Sequence, residues 1–411
     1  MKRTSRDIRV ANRFEVLRQI IGAAIVSRQE VASQSGLSLA TVSNLVGELL
    51  ELGLLVEVGF QDSGGGRPRG LVSVNPAGGV LVGVDVAETY VHVEAFDTGL
   101  AVLATAEEHL HQTENRPEQV VGHIVSGIRS VIAAAGVAAD RVLGVGISVP
   151  GQVDREGGVS IFAPNWDWHD VPLRSLLASV DLPLYLDNPL RASVVAELWF
   201  GAGRGRDDVA VLTLGTGVGA GLAFGGVLYR GATNSAGEWG HTTLVLDGRP
   251  CHCGARGCVE TYVGAPGIMQ HLRERDRASP MLRPDDQTAT IDALAEGIAA
   301  GDPVALDVLA ETARYLGVAV ADLVNLVNPE VIVLSSWVAA RLGPALLPVV
   351  RDEVARHALR RPLAATEITL GRVAGNPVSL GAATFALEGV LAGIGMPTRP
   401  GRHARPAAPA R

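Results

Sequence analysis

Aromatic residues make up only 4% of this 411-residue chain, cysteine occurs three times, and no uninterrupted apolar run approaches the about 18 residues that a bilayer-spanning helix requires. Each scarcity excludes something. With 47% hydrophobic residues but few rings, the cores must be built from Val, Leu, Ala and Ile. Three cysteines cannot make the disulfide framework of a small secreted protein and fit a reducing compartment. The start, Met1-Lys-Arg-Thr-Ser-Arg-Asp7, lacks the apolar segment of a signal peptide, so the expectation is a soluble cytoplasmic protein with no membrane partner. The length calls for two or three domains. Net charge is −8, which argues against a surface that grips nucleic acid everywhere, yet residues 1–70 hold nine Lys or Arg against seven Asp or Glu.

What is present is concentrated. All three cysteines, Cys251, Cys253 and Cys258, follow His241 closely. Three sulfurs and one imidazole are the closed tetrahedral complement of a structural zinc ion, and Gly254 and Gly257 let the backbone turn tightly around it. The competing reading is three free thiols packed as small hydrophobes. The pattern Gly240-His241 followed by Cys251-His-Cys253-Gly-Ala-Arg-Gly-Cys258-Val-Glu260 resembles the signature of the ROK family of bacterial sugar kinases and sugar-responsive repressors. The resemblance runs from Asn12 to the helix opening Ser379-Leu-Gly-Ala-Ala383.

At the N-terminus, Phe14, Leu17, Ile20 and Ile21 repeat at helical spacing over 12–25, and a short second helix is expected over 28–34. Ser38 is a suitable N-cap for a third helix over 39–52, whose Val42, Leu45, Val46, Leu49 and Leu50 form one stripe. Strands at 54–60 and 71–74 then flank Ser63-Gly-Gly-Gly-Arg-Pro-Arg69. This is a winged helix-turn-helix, residues 1–75, with a DNA operator as partner. In such a fold the third helix enters the major groove, which nominates Ser38, Ala40, Thr41, Ser43 and Asn44, with Arg67 and Arg69 at the wing. A helical protein-contact module with a solvated polar face is the alternative. The run Ala40-Thr-Val-Ser-Asn-Leu-Val46 with its Gly-Gly-Arg-Pro wing resembles ROK repressors in particular.

Beyond residue 79 the chain is α/β. Strands at 80–86, 91–96 and 142–149, with a helix over 117–136, are followed by a similar series at 209–214, 219–224 and 331–334. Two like halves are implied, a first lobe over 79–186 and a second over 187–396 carrying the zinc loop and a returning C-terminal helix. The duplication matches the two-lobed actin-like, ribonuclease-H-like sugar kinase fold, with ligand between the lobes. Residues 397–411, rich in Pro, Ala and Arg without periodicity, read as a disordered tail.

The resemblance implies how a kinase of the family would work, and the chain departs from it. Family kinases carry Asp-x-Gly-Gly-Thr-Lys at the first phosphate loop; here the sequence is Asp85-Val-Ala-Glu-Thr-Tyr90, which puts a carboxylate where phosphate would come. Leu214-Gly-Thr-Gly-Val-Gly219 keeps the second phosphate hairpin, but Ser335-Ser-Trp337 replaces the glycines that pack under adenine. The catalytic aspartate, eight residues before the helix glutamate Glu197, is Pro189, so no catalytic residue is assigned. ATP is not expected as a cofactor. Residues resembling the family's sugar contacts remain at Asn165, Asn188, Glu238, His241 and Glu260, and Trp166, Trp168 and Trp239 are expected to border the cleft. Arg191 adds a cation, which leaves a sugar and a sugar phosphate both open as effector. The expected function is a sugar-responsive DNA-binding regulator, acting as a homodimer or homotetramer; the alternative is an active sugar kinase bearing a DNA-binding domain.

Overall fold

A computed structural model describes residues 5–61, 68–111 and 115–393. The wing tip with Arg67, and the 397–411 tail, lie outside the described residues.

The N-terminal module is built as its periodicity dictates. Helix α1 (Ser5–Ala23) leads through a short strand β1 (Ile25–Ser27) into α2 (Arg28–Ser35) and α3 (Leu39–Glu51). Ser27 and Glu30 form a reciprocal capping box at the start of α2, and Gly36 ends it at φ 70°. Strands β2 (Leu55–Gln61) and β3 (Arg69–Val74) make the wing, and β1 adds to β3, so the sheet order is β1-β3-β2. The expected first helix extended to residue 25; instead Ala24, at φ 63°, stops it and Ile25 pairs with Ser73.

Two five-stranded sheets follow. The first contains β4 (Val80–Val86), β5 (Tyr90–Asp97), β6 (Val102–His109), β7 (Val142–Ser148) and, after a side sheet of β8 (Gln152–Asp154), β9 (Val159–Ala163) and β10 (Trp168–Val171), β11 (Leu184–Asp187). Helix α4 (Pro117–Ala134) covers it, and a single turn α5 (Leu173–Leu176) follows the side sheet. Helix α6 (Pro189–Phe200) crosses to the second sheet, β12 (Val209–Leu214), β13 (Val218–Phe224), β14 (Val227–Tyr229), β15 (Val331–Ser335) and β16 (Glu367–Leu370). Helices α7 (Glu260–Val263), α8 (Ala265–Arg275), α9 (Gln287–Ala300), α10 (Pro303–Val327), α11 (Ser336–His357) and α12 (Arg360–Ala365) surround that sheet. The orders β11-β7-β4-β5-β6 and β14-β13-β12-β15-β16 are one topology used twice: an antiparallel meander beginning on a central strand, then two parallel strands on its other side.

The last helix, α13 (Pro377–Gly393), returns to the first sheet. It lies so close that a Cβ at Gly83 would sit 1.9 Å from the Ser379 carbonyl oxygen, and one at Gly146 would sit 1.8 Å from that of Ala382. Only glycine permits this approach. The opposite face of α13 packs on α6, and a continuous buried cluster joins Leu387 and Leu391 to Leu17, Ile20 and Leu49 of the winged module.

Candidate ligand cleft, metal centre and nucleic-acid interface

The duplicated topology places the β4–β5 turn and the β12–β13 turn across from one another, and a cleft of about 320 Å³ opens between them. All five expected sugar contacts, Asn165, Asn188, Glu238, His241 and Glu260, line it, as do Asp85, Glu88, Thr216, Trp166 and Trp337. Their roles differ. Asn188 caps α6, accepting from the Leu190 N–H at 2.8 Å while its amide donates to the Gly151 carbonyl, so it shapes the wall. Asn165 donates to Glu88 Oε1 at 3.1 Å, with its oxygen 3.2 Å from His252 Nδ1. Glu260 Oε2 accepts from the Val218 N–H at 2.9 Å.

Burial raises the carboxyl pKa of Glu88 and Glu238, and brings Glu260 to about 7, with the charges of Glu88 and Glu238 adding to its rise. Asp85 is pushed up to about 6 by burial, opposed by hydrogen bonds from Asn376 at 2.9 Å and Tyr90 at 3.0 Å. Among the described residues no Lys or Arg lines the cleft.

Three expectations require correction. Arg191 does not face the cleft: it is 2% exposed, its Nη1 is 3.6 Å from Asp187, and it donates to the Asn234 carbonyl. The argument for a sugar phosphate from that cation therefore fails. Trp168 and Trp239 are core residues, donating to the carbonyls of Asn115 at 2.6 Å and Ala319 at 3.3 Å; of the three tryptophans expected there, Trp166 lines the cleft. Sequence reasoning missed the reason: a tryptophan beside a polar motif has an indole N–H that a buried carbonyl can satisfy.

A fourth tryptophan, Trp337, also lines the cleft. Its Nε1 is 3.0 Å from where a Cβ on Gly215 would lie, so the indole closes on the second phosphate hairpin. Ser336 beside it holds φ 77°, a conformation natural to glycine.

Pro189 occupies the first turn of α6, where its missing N–H costs nothing. Asp187, two residues earlier, is fully buried and enclosed by three guanidinium groups: Arg230 Nη1 at 2.6 Å, Arg155 Nε at 3.1 Å and Arg191. Arg155 and Arg230 also lie over the Phe385 ring of α13, 5.8 and 5.6 Å from its centroid.

Below the cleft, the ligand atoms of His241, Cys251, Cys253 and Cys258 all lie within 4.8 Å of one another. The Cys253–Cys258 sulfur separation is 3.8 Å and Cys251 Sγ is 3.6 Å from His241 Nδ1. A tetrahedral centre with metal–sulfur bonds of about 2.3 Å and a metal–nitrogen bond of about 2.05 Å has edges of about 3.8 and 3.6 Å. Gly254 and Gly257 take φ 91° and 74°, as the tight loop demands. Burial holds His241 toward its neutral, ligating form and pushes the Cys251 thiol up, a bias that an entering cation reverses. Glu260 Oε1, 3.7 Å from Cys251 Sγ, ties this loop to the cleft.

On the winged module, Ser38 Oγ accepts from the Thr41 N–H at 3.1 Å, so it caps α3. Ser38, Ala40 and Asn44 are exposed, Thr41 and Ser43 half-buried, and Arg69 is exposed at the start of β3. Leu39, 45% exposed on the first turn, joins this face and was not singled out from sequence.

A duplicated α/β fold around a cleft lined by carboxylates and amides, with a Cys3His loop and a winged helix in front, defines a sugar-kinase-type core joined to a DNA-binding module. Comparison supplies the family. The ROK family model matches residues 81–388, and the chain belongs to the ROK family. It is 30% identical over 387 residues to a xylose repressor of Caldicellulosiruptor bescii, covering 92% of this chain and 96% of the relative. It is 33% identical over 323 residues to a glucokinase of Streptomyces coelicolor, covering 75% of this chain and 98% of that one. Among solved structures, a ROK family transcriptional regulator, homologue of the E. coli MLC protein, superposes with TM-score 0.75 at 25% identity over 94% of this chain and 97% of that chain. A ROK glucokinase from Streptomyces griseus in complex with glucose and AMPPNP gives 0.64 at 30% identity, over 75% of this chain and 100% of its own. The repressor-type relatives extend over the winged module.

Proposed function

We propose that this chain is a sugar-responsive transcriptional repressor whose kinase-like core senses and does not phosphorylate. The observation that carries the reading is the state of the two residues nearest the missing base. A general base must reach the attacking hydroxyl within about 3 Å; Pro189 has no carboxylate, and Asp187 is bound to three arginines. With Glu88 and Trp337 set against the nucleotide, phosphoryl transfer lacks its base and its first phosphate loop.

The winged module, residues 1–75, would read an operator through the first half of α3, with Leu39 offered to a thymine methyl group and Arg67 and Arg69 to the backbone or minor groove. The lobes, 79–186 and 187–396, would close on the effector, and a homodimer or homotetramer would match a two-fold repeated site. His241, Cys251, Cys253 and Cys258 would hold a structural zinc ion that fixes Glu260 and His241 toward the cleft. The chain is expected to work in the cytoplasm; among the described residues no helix is long and apolar enough to cross a membrane.

A physical route supports coupling between cleft and operator. Asp187 adjoins the cleft residue Asn188 and binds Arg155 and Arg230, which cover Phe385 on α13. Further along α13, the Leu391 carbonyl accepts from Arg13 Nη1 at 3.3 Å, and Arg13 also pairs with Glu48 of α3 at 2.7 Å. A tenfold change in operator affinity needs about 1.4 kcal/mol of difference between two arrangements of such a route.

Operator fragments titrated with the protein in the presence of xylose, glucose and related neutral sugars test the reading. At least one sugar is expected to change affinity tenfold or more, with no ADP release from ATP above background. Operator binding indifferent to every sugar, or turnover abolished by Asp187→Asn, would overturn it.

A further inference from the structure

We propose that Glu88, on the β4–β5 turn, is a specificity-determining residue of the effector site: it accepts hydroxyls of an unphosphorylated sugar and bars a phosphoryl group. This rests on the sensor reading above and deepens it.

The two pseudo-equivalent turns nearly touch. A Cβ placed on Gly217 of the β12–β13 turn would lie 3.5 Å from Asn165 Nδ2, 3.5 Å from Glu260 Oε2 and 3.7 Å from Glu88 Oε1. Three polar groups thus converge on one point above the phosphate hairpin, two of them carboxylates. One hairpin amide that an entering phosphate could use, the Val218 N–H, is already bonded to Glu260. Glu88 is itself held from the sugar side, because its partner is Asn165, which lines the same wall.

The surrounding charge has one sign. Asp85, Glu88, Glu238 and Glu260 line the cleft; Arg155, Arg191 and Arg230 are turned to Asp187, and Arg249, which lines the adjoining pocket with Glu88 and Glu260, is paired with Glu274 at 2.8 Å. A phosphorylated sugar would bring about two further negative charges into a partly desolvated acidic site whose lining holds no Lys or Arg among the described residues, a costly arrangement. Sugar hydroxyls make the opposite demand. They donate, and carboxylates are the strongest acceptors a side chain offers.

Calorimetric titration of the full chain with xylose, glucose, glucose 6-phosphate and AMP-PNP, repeated for Glu88→Gln and Glu88→Gly, tests this. The wild type is expected to favour the preferred neutral sugar over glucose 6-phosphate by at least 100-fold. Glu88→Gln, similar in size but uncharged, should weaken the neutral sugar about tenfold and narrow the discrimination at least tenfold. Glu88→Gly should do both, while AMP-PNP stays unbound because Trp337 still closes on the hairpin. A single cooperative melting transition and a circular dichroism spectrum matching wild type establish that both variants fold. Sugar binding with the same neutral-to-phosphate ratio in wild type and Glu88→Gln overturns the assignment of Glu88 alone, as does a wild type that prefers glucose 6-phosphate. A wild type that binds none of the sugars overturns the sensor reading itself.

Discussion

The β4–β5 and β12–β13 turns occupy matching places in two copies of one topology, yet they differ in what they present. The second, Gly215-Thr216-Gly217, offers backbone; the first, Ala87-Glu88-Thr89, projects a carboxylate toward it. The fold is indifferent to the exchange, because both turns close their meanders with the same strand order. Chemistry is therefore set by single side chains on an unchanged frame, and on the sensor reading proposed above a sugar-facing wall can stay intact while a nucleotide-facing wall is filled.

The sharpest way to break this contrast is to remove the support beneath the sugar wall. Cys258→Ala, at a fully buried position of the Cys3His cluster, should reduce bound zinc from about one ion per chain to almost none, as read by elemental analysis. Sugar affinity should fall on the order of 100-fold, since structural zinc sites in small domains contribute about 10 kcal/mol or more to local folding. Retention of full affinity without metal would detach the loop from the cleft.

Next is the arginine cage. Asp187→Asn leaves three guanidinium groups facing one another with no carboxylate, and should cost about 3–5 kcal/mol in denaturant unfolding. A catalytic aspartate would instead be lost with little effect on stability.

Asp85 gives a smaller, pH-dependent effect. Its folded-state pKa of about 6 exceeds the usual 3.8, so the folded chain holds this proton more tightly than the unfolded one. The burial penalty is absent below the unfolded value and complete above the folded one, so stability falls as pH rises from about 4 to 6, by up to about 3 kcal/mol. Asp85→Asn should flatten that part of the melting-temperature profile. A profile unchanged by the substitution would show Asp85 ionised without penalty.

Ser336→Gly should have the smallest effect. Relief of a left-handed serine at φ 77° is worth about 1 kcal/mol of added stability, with no gain in nucleotide binding while Trp337 and Glu88 stay in place.

Much of this was legible from sequence where local pattern decides. The stripe of α3, the fully buried β4 and β12 and the cap at Ser38 follow from periodicity and side-chain chemistry. The Cys3His cluster and the five cleft residues were readable from spacing and family resemblance, and the cleft does gather them. What stayed hidden is long-range. Arg155 and Arg230 meet Asp187 from distant points of the chain, and nothing local at either arginine announces the partner. The side sheet β8–β10 has strands too short to show a period, and Trp239 gives no sign in sequence that its indole turns inward to Ala319. Glu88 was visible as an obstacle to phosphate; its bond to Asn165, across the cleft wall, was not.

Helix α13 fixes an order of events during synthesis. The operator-reading module leaves the ribosome ahead of both lobes, but the helix whose Leu391 carbonyl meets Arg13, and whose small residues lie flush on Gly83 and Gly146, follows every other described element. On the route proposed above, the module has until then no seat through which the cleft can address it. A chain stopped after Gly375 should therefore occupy operators while deaf to effector, and a fragment whose operator binding still answered to sugar would show that the signal travels by another route.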